Sequence, residues 1–347
     1  MSRIVTALAI AAALLPTARA GAQDAAATAA AHALFAPYAT PDQTVRLPDG
    51  RDIHLVCMGE GSPTVILTAG LGSWSMAWRM VQPTVARTTR ACAWDRPGIG
   101  FSDGSDQVQT VDATTSDLEA ALAAANITGP FVLVSHSMGS YETLTFADRR
   151  GDDVAGMVLV EPTLPDQAAV FRAAAPTLSA GNEAGMAEEV AALRKCASAI
   201  AEGRLTTTSP DPDRCLAAQP TFPPALIAAL AVADMDPRRD LARASLSENF
   251  ASNSATMVNP ERDFGDMPLV VLTAGNPPIS DNAPPEILAE RPAYVAAWTG
   301  GHEALSRLST RGVHRTVPNT GHSMQRERPD AVIAAILEVV EAARSPQ

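Results

Sequence analysis

Short apolar runs without polar alternation recur along the chain, separated by stretches of helical periodicity. Phe131–Val134, Thr64–Thr68, Gly156–Val160 and Pro268–Thr273 are four to six residues long and rich in valine, leucine and isoleucine. That is the pattern of strands buried on both faces of a parallel sheet. Arg90–Trp94 and Val313–Val317 extend the set. Thr44–Leu47 and Asp52–Cys57 read as two strands joined by Pro48-Asp49-Gly50, a hairpin turn signal. Helices are predicted over Met76–Ala86, Thr115–Ala125, Met138–Arg149 and Asp330–Ala343, the last with Pro329 just ahead of it. Strands alternating with helices predict an α/β fold, a mostly parallel sheet with helices on both faces.

The alternation stops after residue 162. Residues 163–267 are rich in Ala and Pro, with helical pieces at Ala187–Ala201 and Ala225–Ala233 and no strand pattern. A helical block inserted between two strands of one sheet is expected to lie as a cap over the strands' carboxyl ends. A long loop is expected after Thr273. No internal repeat is present. The division is therefore a core of 44–162 and 268–347, a cap of 163–267, and an Ala-rich, loosely ordered lead-in of 21–43.

Residues 1–20 stand apart. Arg3, the apolar run Ile4 to Leu15 and the small-x-small Ala18-Arg19-Ala20 make a cleavable export signal, too short in its apolar part to span a bilayer. An exported protein, periplasmic or secreted, meets an oxidising compartment, where four cysteines can pair. With 46% hydrophobic and 18% charged residues, the 347-residue chain is expected to bury a sizeable core. Its 26 basic against 38 acidic residues give −12, which argues against nucleic acid or an anionic membrane as partner. No Cys-x-x-Cys or His/Cys cluster suggests a metal. Asp95-Arg96-Pro97-Gly98-Ile99-Gly100 lacks the third glycine of a dinucleotide pattern, so no cofactor is implied and the segment reads as a structural loop.

The chemistry centres on Ser135-His136-Ser137-Met138-Gly139, between the 131–134 strand and its helix. It fits the elbow that presents a nucleophilic serine, whose strained turn needs small residues two before and two after Ser137. Further motifs follow in order: TAGLGSW after the third strand, DRPGIGFSD after the fourth, VLVEP ending the sixth and NTGHSMQ after the eighth. Over about residues 44–343 the chain resembles an exported, esterase- or lipase-like serine hydrolase of the α/β-hydrolase superfamily. The resemblance implies an eight-stranded sheet with an antiparallel second strand. It also implies His322 as the base for Ser137, and the backbone N–H groups of Met138 and Leu71 as an oxyanion hole. His136 would only shape the pocket.

The orienting acid has three candidates. Glu161 ends the sixth strand, where some relatives carry it, and is preferred. Asp281 is the nearest acid after the seventh strand, where the usual position holds Pro278, and Asp166 is the third. The implied activity is hydrolysis of an ester-type bond in a small molecule. Lactone, amide or carbon–carbon bond hydrolysis and a non-catalytic binding protein remain alternatives. Phe171, Phe222 and Phe250 in the cap suggest a mainly apolar substrate. The fold also sets Cys57 and Cys92 side by side, so a second bridge can accompany Cys196–Cys215, with buried free thiols as the alternative.

Overall fold

The computed structural model describes residues 28–216, 221–276 and 279–345; the expected export signal and Pro278 lie outside them. The eight strands are β1 (Thr44–Arg46), β2 (Asp52–Met58), β3 (Thr64–Thr68), β4 (Ala91–Trp94), β5 (Phe131–His136), β6 (Val154–Val160), β7 (Leu269–Ala274) and β8 (Gly312–Val317). They form one sheet in the order β1-β2-β4-β3-β5-β6-β7-β8. β2 runs antiparallel to both of its neighbours, and β4, β3, β5, β6, β7 and β8 pair in parallel.

Successive residues of a strand point to opposite faces, and here both faces are covered. Phe131, Leu133, Met157, Leu159, Leu269 and Val271 pack with Tyr141 and Leu144 of the helix Gly139–Arg150. Val132, Val134, Val158, Val160, Val270 and Leu272 face the helix Pro329–Arg344. That helix buries Val332, Ala335, Ile336, Val339 and Val340, one stripe at helical spacing. Val339 comes so close that a Cβ on Gly156 would lie 2.3 Å from its Cγ1.

Among the described residues between β6 and β7 there are five helices: Gln167–Ala174, Pro176–Ala201, Pro224–Ala233, Pro237–Glu248 and Phe250–Thr256. Disulfides join Cys57 to Cys92, which are directly paired residues of β2 and β4, and Cys196 to Cys215 within the inserted block. Among the described residues no helix is long and apolar enough to cross a membrane.

Three elements differ from the sequence reading. The helix expected over Met76–Ala86 is a 3-10 turn, Ser75–Trp78, and a separate short helix, Gln82–Val85. Pro83 cannot continue a helix already under way but fits the first turn of a new one. The long loop expected after β7 holds a 22-residue helix, Pro285–Ser306. The lead-in, expected to be loosely ordered, makes a 3-10 turn at Ala36–Tyr38 with Phe35 and Tyr38 buried. The Tyr38 hydroxyl donates to Gln82 Oε1 at 2.8 Å, which ties the segment to the core.

Candidate active site

The link from β5 into the helix Gly139–Arg150 turns on Ser137, whose φ of 53° is left-handed. That conformation costs a non-glycine residue on the order of 1–2 kcal/mol, so the surroundings must enforce it. They do so by close approach. A Cβ on Gly139 would sit 2.7 Å from the Thr68 carbonyl oxygen and 2.8 Å from that of Ala69. A Cβ on Gly70 would lie 3.1 Å from Ser137 Cβ. Ser135, fully buried, has the small side chain this crossing requires. The Ser137 carbonyl accepts from the backbone N–H of Ser140 and Thr163, fixing the turn to the segment that follows β6.

His322 follows β8, and its Nε2 lies 3.1 Å from Ser137 Oγ. Its Nδ1 lies 3.3 Å from Glu161 Oε2. Glu161 is buried at the end of β6, also with a left-handed φ, 48°. Its other oxygen accepts from the Ala274 N–H at 2.6 Å and from Trp298 Nε1–H at 3.2 Å. Burial pushes the Glu161 carboxyl up. The hydrogen bonds from His322, Ala274 and Trp298, with His302 nearby, outweigh that and hold it below the usual carboxylate range. The other two acids lie elsewhere. Asp281 is exposed and pairs with Arg291, and Asp166 precedes the helix Gln167–Ala174 with its N–H bonded to the Ser254 carbonyl.

The neighbouring histidines serve the frame. His136 donates Nε2–H to the His322 carbonyl at 2.8 Å, leaving Nδ1 buried against Gly70. Burial first, then the adjacent His322, lowers its pKa to about 4 and keeps it neutral. His302 donates Nε2–H to the carbonyl of Pro162, directly after Glu161. Its Nδ1 then accepts from the Thr273 hydroxyl, which in turn accepts from His314 Nε2–H.

Ser137 and His322 open onto a cavity of about 640 Å³. Leu71 lines it beside Ser137, and Met138 is buried at the start of the elbow helix. The opposite wall includes Phe222, Leu230, Asp234, Arg239 and Arg243 from the inserted helices and their connections. Of the three cap phenylalanines singled out from sequence, Phe222 lines this cavity. Phe171 packs at a tilt against Tyr294 and Trp298, and Phe250 lies against Tyr141.

The sequence matches the alpha/beta hydrolase family over residues 65–335. The chain belongs to that family. Among curated relatives, this chain is 34% identical to the uncharacterized protein YqjL of Bacillus subtilis over 108 residues. That alignment covers 31% of this chain and 43% of the relative, so the chain spans less than half of the relative's length. Among solved structures it resembles a thermophilic esterase from Thermogutta terrifontis, with a TM-score of 0.54 and 19% identity over 87% of this chain and 98% of that one. An epoxide hydrolase from metagenomes of hot environments aligns with a TM-score of 0.56 and 18% identity, over 85% and 97% of the two chains. At these identities the likeness concerns the fold.

Sequence reasoning passed over one part of the site's frame. Arg96, in the loop read as merely structural, donates to the carbonyls of Ala69 at 2.7 Å and Gly70 at 3.1 Å. It also forms a buried two-point ion pair with Glu142 of the elbow helix, at 2.5 and 3.0 Å. One guanidinium thus clamps the Gly70–Leu71 loop to the elbow. The available signal was a charged residue inside an otherwise buried, glycine-rich loop, since a buried cation demands a partner.

Proposed function

We propose that this hydrolase cleaves an ester-type bond of a small molecule through an acyl-enzyme on Ser137. The observation that carries the proposal is the hydrogen-bonded series from Ser137 Oγ to His322 Nε2 at 3.1 Å, and from His322 Nδ1 to Glu161 at 3.3 Å. A neutral hydroxyl is a weak nucleophile. His322 takes its proton as Oγ attacks the carbonyl carbon, and Glu161, held as an anion, accepts the Nδ1–H and stabilises the imidazolium. The developing oxyanion is received by the backbone N–H groups of Met138 and Leu71. His322 then protonates the leaving alcohol, and water resolves the acyl-enzyme by the same path in reverse.

The helices inserted between β6 and β7 act as a cap in this reading. The apolar body of the substrate rests against Phe35, Trp74, Ile99, Phe222 and Leu230, all of which line the cavity. The two disulfides suit an exported protein in an oxidising compartment. The test is a series of 4-nitrophenyl esters of increasing acyl length. Turnover of at least one ester by the wild type, and none above background by Ser137→Ala, is the expected result. Equal turnover by both proteins would remove Ser137 from the chemistry.

A further inference from the structure

Four arginines line the cavity, and they divide into two kinds. Arg239 pairs with Asp234, and Arg243 pairs with Asp240 and lies 3.8 Å from Asp234, so two cations meet two carboxylates. Arg79 and Arg326 make no ion pair within 4 Å among the described residues. Arg79 spends one N–H on the Met76 carbonyl at 3.3 Å and rests its guanidinium over Phe35, 4.8 Å from the ring centre. Burial and then repulsion from Arg326 both lower its pKa, so the two like charges lie within each other's field. Glu327 lines a recess with both arginines, its Oε2 accepting from the Gly321 N–H at 2.6 Å, and makes no ion pair with either within 4 Å.

A second observation points the same way. Gln325, 3% exposed and lining the same cavity, has its Oε1 buried with no hydrogen-bond partner. A buried amide oxygen left unpaired is costly, and rotation of the amide by half a turn, which an anion in the cavity would select, exchanges that acceptor for an Nε2–H donor. Arg79, Arg326 and Gln325 thus all line one cavity, with the two cations close enough to repel, in a protein whose net charge is −12. Guanidinium forks match carboxylate and phosphate oxygens in geometry as well as charge.

We propose that Arg79, Arg326 and Gln325 form an anion subsite, and that the substrate is an ester with an apolar body and a carboxylate or phosphate at its far end. This deepens the Ser137 reading and rests on it. The subsite belongs to two segments tied to the chemistry. Arg79 follows the 3-10 turn beyond the Gly70–Leu71 loop, and Arg326 lies in the short helix Met324–Glu327 directly after His322. An anion held there fixes one end of the substrate relative to Ser137.

The experiment compares length-matched pairs: mono-4-nitrophenyl adipate and suberate against 4-nitrophenyl hexanoate and octanoate, at low ionic strength. A third arm uses the 4-nitrophenyl ester of 5-phosphonopentanoate, which distinguishes a carboxylate from a phosphate-type end. The wild type should favour at least one charged ester over its neutral match by tenfold or more in kcat/KM, and the ratio should shrink as salt is raised. Arg79→Gln/Arg326→Gln should lower that ratio at least tenfold, and the exposed Arg326→Glu should lower it further. Arg87→Gln, an exposed control, should leave it unchanged. A ratio near one in the wild type, or one unmoved in both subsite variants, overturns the proposal. Calorimetry on Ser137→Ala separates the two readings. Monomethyl suberate should bind at least tenfold tighter than methyl octanoate; this preference without hydrolysis by any form would keep the subsite and discard the esterase reading, whereas hydrolysis without it would do the reverse.

Discussion

On the sheet side of the cavity, Ser137 and Glu161 sit at the ends of strands whose two faces are both buried. Parts of the inserted block are held more lightly. The helix Pro224–Ala233, which brings Leu230 to the cavity, buries two of its ten residues, and the 26-residue helix Pro176–Ala201, outside the cavity lining, buries five and ends on a small separate cluster of Cys196, Ala199, Leu205 and Cys215. Ser137 and Glu161 both keep left-handed backbones because parallel strands, close glycine crossings and buried hydrogen bonds over-determine them. A fixed side can hold atoms to within a few tenths of an ångström, whereas a lightly held side suits selection of what enters. Substitutions in the sheet-side frame should therefore act on kcat, and those in the inserted helices on binding and stability.

The sharpest way to break that contrast is at the acid. Glu161→Gln keeps the size but removes the charge and permits the wrong imidazole tautomer. We expect kcat to fall by about 10² to 10³ with little change in KM where KM reports binding. Asp281→Asn should stay within about tenfold. Both are read on one ester after circular dichroism shows each variant folded, and the reverse ranking would move the acid off the sheet.

Next in size is the Arg96 clamp. Arg96→Gln strands the buried Glu142 and should destabilise by about 3–5 kcal/mol, measured by denaturant unfolding. Arg96→Met/Glu142→Leu removes both charges and should recover most of that stability, while kcat stays depressed because Ala69 and Gly70 remain unclamped. Recovery of kcat together with stability would make the pair a matter of folding alone.

On the lighter side, Cys196→Ser/Cys215→Ser opens a loop of about 20 residues and should cost about 3 kcal/mol in the chain-entropy model. The loss should register as early melting of the inserted helices, with kcat for a neutral ester within about threefold. The smallest effect per residue is pH dependence. Burial lowers His136 and His302 to about 4 in the fold, so between the unfolded value near 6.5 and about 4 the unfolded chain binds more protons. Stability should fall as pH drops from 7 to 5, by roughly 1–2 kcal/mol per histidine. His302→Asn should show a shallower slope of melting temperature over that range.

The contrast also explains what could be read from the sequence. Strands buried on both faces leave unbroken apolar runs, and an elbow must place small residues at set offsets, so β3, β5, β6, β7 and the Ser137 turn were legible. The helix Pro285–Ser306 was not. Its buried residues Trp298, His302, Leu305 and Ser306 all fall in its second half, and it contains Pro292, which breaks a helical reading of the sequence. Gly301 within it serves close packing, since a Cβ there would lie 2.4 Å from Leu164 Cδ1. Phe35 and Tyr38 were lost in an Ala-rich segment for a related reason: two anchoring aromatics make no period. The link of His322 to Glu161 joins residues 161 positions apart, and no local pattern encodes it.

The measurement closest to the central claim is the site of covalent labelling by a fluorophosphonate probe. After tryptic digestion and mass spectrometry, the account predicts one adduct per folded molecule, on Ser137. Labelling should vanish in Ser137→Ala and slow sharply in His322→Ala. An adduct on another serine, or none in protein shown to be folded, would contradict it.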